Sequence, residues 1–141
     1  MFYEQRTAVP ESPSELRTEY EAEFASILED VGLEAAVEET GIDRERLEAL
    51  LAGESPELTL EEAAEIQTLA DGEPDAETIV TMAGEHLLLG MSSAVLDVEA
   101  VESHIGIDLE AKEIQQKIER RAPMSFEEFV HVQHVIVSRI P

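Results

Sequence analysis

Helix start and stop signals punctuate this chain from end to end, and no stretch between them alternates with the period of a strand. Ser12-Pro13-Ser14-Glu15 is a capping box with proline at the first helical position. Behind it Leu16, Tyr20, Phe24, Ile27, Leu28 and Val31 recur at the helical spacing. A short second helix runs from Leu33 to Thr40 and ends at Gly41, a residue free to take left-handed backbone. Asp43 caps a third helix carrying Leu47, Leu50 and Leu51, which stops at Gly53. Thr59-Leu60-Glu61-Glu62 is a second capping box, followed by Ala63, Ile66 and Leu69. Asp71-Gly72-Glu73-Pro74 breaks the pattern, and a long helix then runs from near Asp75 towards Leu96. The expectation is an all-α fold of about eight helices. Within the long helix, His86 to Met91 is apolar nearly all round, as befits a helix buried between two units or in a dimer.

The second half echoes the first. Glu39-Thr40-Gly41-Ile42-Asp43 returns as His104-Ile105-Gly106-Ile107-Asp108, and Thr59-Leu60-Glu61-Glu62-Ala63 as Ser125-Phe126-Glu127-Glu128-Phe129. Two landmarks in the same order predict a degenerate duplication, with Gly41 and Gly106 at equivalent turns. The expected organisation is residues 1–72, then 73–141 with the long helix leading the second unit. The two units are tandem, joined by that helix, and able to pack as one domain.

Charge narrows the setting. Nine Lys and Arg face 33 Asp and Glu, a net charge of -24, while 43% of residues are hydrophobic. That apolar share supports folding in spite of the charge. Carboxylates in such excess repel in dilute buffer and are screened in molar salt, where the Debye length falls to about 3 Å. A salt-rich cytoplasm fits this composition; a mimic of nucleic acid, or a partner for basic proteins, is the competing reading. The absence of cysteine excludes disulfides, thiol nucleophiles and Cys-ligated metal. No apolar run has membrane-spanning length, and Met1-Phe2-Tyr3-Glu4 does not open a signal peptide.

Residues 31–69 resemble the helix-turn-helix of the Cro and phage-repressor type. The resemblance rests on Leu33, Ala36 and Val37, the turn Gly41-Ile42, then Leu47 and Leu50, with Gly53, Pro56, Leu58, Leu60, Ala63 and Ile66 following. Val37 stands where that family carries Ala. A degenerate second copy covers residues 96–137, in which Lys112 and Gln115 fall at positions the pattern gives to apolar residues. Ile114 and Ile118 restore its core face if the helix is shifted or longer. The whole chain also resembles an uncharacterised acidic haloarchaeal protein family.

The helix-turn-helix resemblance implies that the second helix of a unit lies in the major groove. In the first unit this brings Arg44 and Arg46 forward, interleaved with Asp43, Glu45 and Glu48, which repel a duplex. In the second unit the candidates are Lys112, Gln115, Gln116, Lys117, Arg120 and Arg121, because Gln pairs with adenine edges and Arg or Lys with guanine or phosphate. The same cations also suit ion pairs with Glu110, Glu113 and Glu119 along a solvated helix. Glu128, His131 and His134 have the spacing of a di-metal carboxylate half-site, but the required second copy is absent: the aligned stretch is Glu62-Ala63-Ala64-Glu65. No nucleophile–base set or phosphate-cradling glycine loop is found, so no enzyme activity, cofactor or metal is expected. The reading is a non-enzymatic, DNA-associated transcriptional regulator. Its alternative is an adaptor that keeps the helix-turn-helix fold for a protein partner or for self-association.

Overall fold

Most of the punctuation read from the sequence becomes caps, but Asp43 stands at the start of the third helix without a side-chain capping bond because its carboxylate goes to Arg46, and Ser12 makes only the serine half of its box. In the computed structural model, which describes residues 1–141, eight helices and no strand form. They are α1 (Pro13–Val31), α2 (Leu33–Thr40), α3 (Arg44–Leu51), α4 (Leu60–Thr68), α5 (Ala76–Ala94), α6 (Val98–His104), α7 (Ala111–Ile118) and α8 (Phe126–Val137). The side chains of Ser12, Asp75 and Asp97 accept from the backbone N–H three residues on, satisfying donors that a helix start leaves unpaired. Thr59 and Ser125 form full capping boxes with Glu62 and Glu128. No helix is long and apolar enough to cross a membrane.

The halves match in layout. Their helices run 19, 8, 8 and 9 residues, then 19, 7, 8 and 12. Buried residues correspond pairwise: Leu16, Phe24 and Leu28 of α1 with Ile79, Leu87 and Met91 of α5, and Leu60, Ile66 and Gln67 of α4 with Phe126, Val132 and Gln133 of α8. Packing corresponds too. α1 lies on α4 and α8, and α5 lies on α8 and α4; α3 touches α1, and α7 touches α5. Only the contact of α1 with α2 has no mate; α6 leaves α5 at a bend of 87° and does not pack on it.

At the centre the two capped starts meet. Thr59 and Ser125 form an antiparallel bridge, with Leu60 N–H donating to Met124 O at 2.9 Å and Phe126 N–H to Leu58 O at 2.8 Å.

The turns follow the expectation unevenly. Gly41 closes α2 in the left-handed region, φ 72°, as expected of a glycine ending a helix at a tight turn. Gly106 does not take a positive φ, and the residue closing α6 is Ile105 in extended backbone. The connection there spans residues 105–110 where its counterpart spans 41–43, so no tight turn is needed. The longer connection moves α7 along, and Ile114 and Ile118 duly face the core. At the far end of these helices, Gly53 (φ 80°) and Arg120 (φ 63°) hold the same left-handed position. Each is followed by the same closing bond, Glu54 N–H to Ala49 O at 2.9 Å and Arg121 N–H to Gln116 O at 2.8 Å.

One cluster of 31 buried residues draws on both halves. Phe2, on the N-terminal arm, plugs it edge-on among Tyr20, Phe24, Phe126 and Phe129 at centroid distances of 5.4 to 6.3 Å. Beneath it the Tyr20 hydroxyl donates to Gln133 Oε1 at 2.5 Å, and Gln133 Nε2 donates to Phe2 O at 3.2 Å. Burial pushes the Tyr20 phenol up to about 12, so it remains a donor across the neutral range. Gln67 is equally buried, yet its Oε1 has no partner. Ala83 stands where Tyr20 stands in the first half, so the matching hydroxyl is missing.

The central helix departs from the all-round burial expected of it. Leu87, Gly90 and Met91 are buried, while Leu88 and Leu89 are 49% and 52% exposed. A helix resting on α4 and α8 covers one broad face and leaves the other to solvent. Gly90 leaves room for α8 to pack against α5: a Cβ there meets Ile136 Cγ2 at 2.8 Å. Gly90→Ala, which raises helix propensity, is therefore expected to destabilise the fold by about 1–3 kcal/mol through overpacking, read by denaturant unfolding in molar KCl. A stabilised variant would show that the helices separate at no cost.

Candidate functional site

Two clefts flank the Thr59–Ser125 bridge, one in each half, walled by corresponding segments. The first, about 540 Å³, is lined by Arg17, Arg46, Ser55, Pro56, Glu62 and Glu127 among others. The second, about 320 Å³, is lined by Glu61, Val80, Lys117, Arg120, Arg121 and Pro123 among others. All the paired cations of the candidate interface except Arg44 reach these walls.

In the first cleft the cations are spent. Arg17 reaches up from α1 with its side chain only 9% exposed, bonding Glu21 Oε2 through Nε at 2.9 Å and Pro56 O through Nη2 at 2.5 Å. It also pairs with Glu127 of α8 and lies over the Phe126 ring, 5.8 Å from its centroid. Glu21, itself 8% exposed, accepts a further bond from Ser55 Oγ at 2.8 Å. Arg46 holds Glu62 bidentately at 2.7 and 2.8 Å and Asp43 at 2.5 Å. The bonds from Arg46 hold the Glu62 and Asp43 carboxyls below their ordinary values. Arg44 pairs with Glu34 and with Glu48 at 3.6 Å. Neither arginine of α3 is free.

The second cleft differs because Val80 stands where the first has Arg17, and Gly84 where it has Glu21. Lys117 bonds Glu128 at 2.5 Å with 16% of its side chain exposed. Burial pushes the Glu128 carboxyl up, but bonds from Lys117 and Ser125 outweigh it and keep it below its ordinary value. Arg121 bonds Glu119 at 2.5 Å, and Gln115 donates to Glu119 at 3.4 Å. Arg120 donates to Thr81 Oγ1 at 2.8 Å and, like the exposed Lys112, makes no ion pair. Gln116 is half-buried and makes no side-chain hydrogen bond. The candidates of α7 thus share one helix and its closing turn, but only Lys112 and Arg120 keep an uncommitted charge.

The histidine motif disperses. Glu128 goes to Lys117, His131 Nε2 lies 2.9 Å from Glu127, and His134 Nε2 lies 2.8 Å from Pro10 O. No group of three or more His, Asp or Glu side chains is placed to hold a metal ion.

Sequence reasoning passed over Arg17, the most buried cation of the chain. The signal was there: Arg17 and Glu21 fall inside the apolar stripe of α1, beside Leu16 and Tyr20, where a lone charge is costly and a pair four residues apart offsets it. Arg17→Met is expected to cost about 3–5 kcal/mol, because Glu21 is left buried and charged. Removing both charges in Arg17→Met/Glu21→Leu should recover most of that loss in equilibrium unfolding. Arg46→Gln tests the other network. Glu62 titrates lower folded than unfolded, so its contribution is present above the ordinary value of 4.5 and lost as pH falls through the folded value. The variant should be less stable at neutral pH by about 0.5–1 kcal/mol, with the difference closing as pH falls below that range. A gap constant with pH would sink this account.

No curated protein and no solved structure matches the chain. One family model does, over residues 16–139, from within α1 to just past α8. Since the match takes in both clefts and the bridge between them, the chain belongs to this family of unknown function, DUF5791.

Proposed function

We propose that this protein is a non-enzymatic interaction module of a salt-rich cytoplasm, a degenerate tandem duplication that uses helix-turn-helix geometry to present helices to another protein. The observation that carries the reading is the pairing of its cations. On α3 both arginines hold carboxylates, and Lys117 of α7 and Arg121 of its closing turn do the same. A duplex would meet Glu45, Glu48, Glu113 and Glu119 along with these cations, and at molar salt the counterion release that drives phosphate binding is much reduced. Protein surfaces tolerate such mixed, mutually paired charge. The duplication is supported by the matched helix order, by the exchanged packing pairs, and by Gly53 and Arg120 at one turn position.

A second reading rests on a separate observation. Lys112 and Arg120 carry no carboxylate partner and flank Gln115 and Gln116, a combination suited to base edges and phosphate. On that reading α7 makes the DNA contact of a transcriptional regulator. Selection of duplex fragments from a random pool in molar KCl separates the two. The interaction module enriches no sequence. A regulator enriches one, and loses well over tenfold in affinity when Lys112, Gln116 and Arg120 are replaced together, at about 1–3 kcal/mol per base contact. Enrichment with that loss would overturn the first reading.

A further inference from the structure

The two long helices serve as controls for each other, and their outer faces differ. On α1 the outer side carries half-buried Ala25 and exposed Ser26, Glu29 and Asp30, and the helix is closed by Gly32 at φ 94°. The corresponding places on α5 carry Leu88, Leu89, Ser92 and Ser93, closed by Val95 at φ 55°. Leu88 and Leu89 are about half exposed and Val95 is 89% exposed, so none of the three is there to complete the core. From His86 to Leu96 the chain bears no carboxylate, although 33 are distributed over its 141 residues. Val95 adds an independent sign. A β-branched residue in left-handed backbone is strained, the first half uses glycine at this place, and the Val95 side chain lies in solvent, so no burial of it offsets the strain.

We infer that the outer face of α5, formed by Leu88, Leu89, Ser92, Ser93 and Val95, is a self-association surface on which two copies of this chain meet about a twofold axis. Charge selects the occupant. A basic partner is better met almost anywhere else on a surface of net charge -24. A carboxylate-free apolar patch fits a partner that is itself acidic, and a second copy brings the same patch, apolar against apolar with no carboxylate opposed. Ser92 and Ser93 are small enough to let two α5 helices approach closely. The patch is modest, so the dimer belongs to the weak class that buries less than about 1,200 Å² in total. Because the flanking surface repels, association should strengthen with salt, unlike an interface of ion pairs. None of this depends on what α7 contacts.

The test transplants the face of α1 onto α5. Sedimentation velocity in molar KCl, over a range of protein concentration, is expected to show the wild type moving from one-chain towards two-chain mass as concentration rises. Leu88→Ala/Leu89→Ser/Ser92→Glu/Ser93→Asp should stay at one-chain mass, with unchanged helical circular dichroism. Val95→Gly should weaken association while raising thermal stability, a combination that loss of fold does not produce. A wild type that remains one chain throughout, or a fourfold variant that associates like the wild type, overturns the inference.

Discussion

Two backbone hydrogen bonds, Leu60 N–H to Met124 O and Phe126 N–H to Leu58 O, set the relation between the halves on which the rest is built. They join the residues immediately around two capping boxes, so one short antiparallel contact places the starts of both α4 and α8. With those helices placed, α1 and α5 each have two surfaces to cover, one from each half, and the core becomes continuous across the chain. Phe2 completes it from the N-terminal arm. The same contact leaves a cleft on either side, which is why the polar networks of the protein gather there.

The two clefts have walls from corresponding places in the two halves and differ in a few side chains. In one, Arg17 is held by Glu21, Glu127 and a carbonyl, and the burial of the pair is tolerated because most of its donors and acceptors are satisfied. In the other, Val80 and Gly84 replace that pair, and the guanidinium at the wall comes instead from Arg120, at the turn that closes α7. The buried glutamines diverge likewise: Gln133 is bonded on both sides and Gln67 keeps an orphaned oxygen, since Ala83 replaces a tyrosine. The two halves thus carry different polar networks. Their asymmetry suits a chain whose halves present different faces, one acidic along α1 and one apolar along α5.

Much of the fold was legible because helix signals are local. The capping boxes at Thr59 and Ser125, the Gly41 turn and the breaks at Gly53 and Pro74 depend on residues within a few positions of one another. The candidate residues of α7 were legible as a group for the same reason, being close in sequence. Their availability was not. Whether Lys117 or Arg46 is free depends on Glu128 and Glu62, which reach them from other helices. Gly106 was misread as a second Gly41 because its neighbours match, while the backbone it adopts is set by the longer connection to α7.

By itself, then, the sequence determined the all-helical fold, the order of its helices, the apolar stripe of most of them and the acidity of the chain, all consequences of short-range spacing and composition. Only the tertiary structure decided that the halves interlock through Thr59 and Ser125, that Arg17 is buried, and that Leu88, Leu89 and Val95 are left facing solvent. Apolar periodicity says that a face will be covered. Which helix covers it, and which apolar residues are left over, follows from how many neighbours can pack around α5 at once. That is a property of the assembled fold.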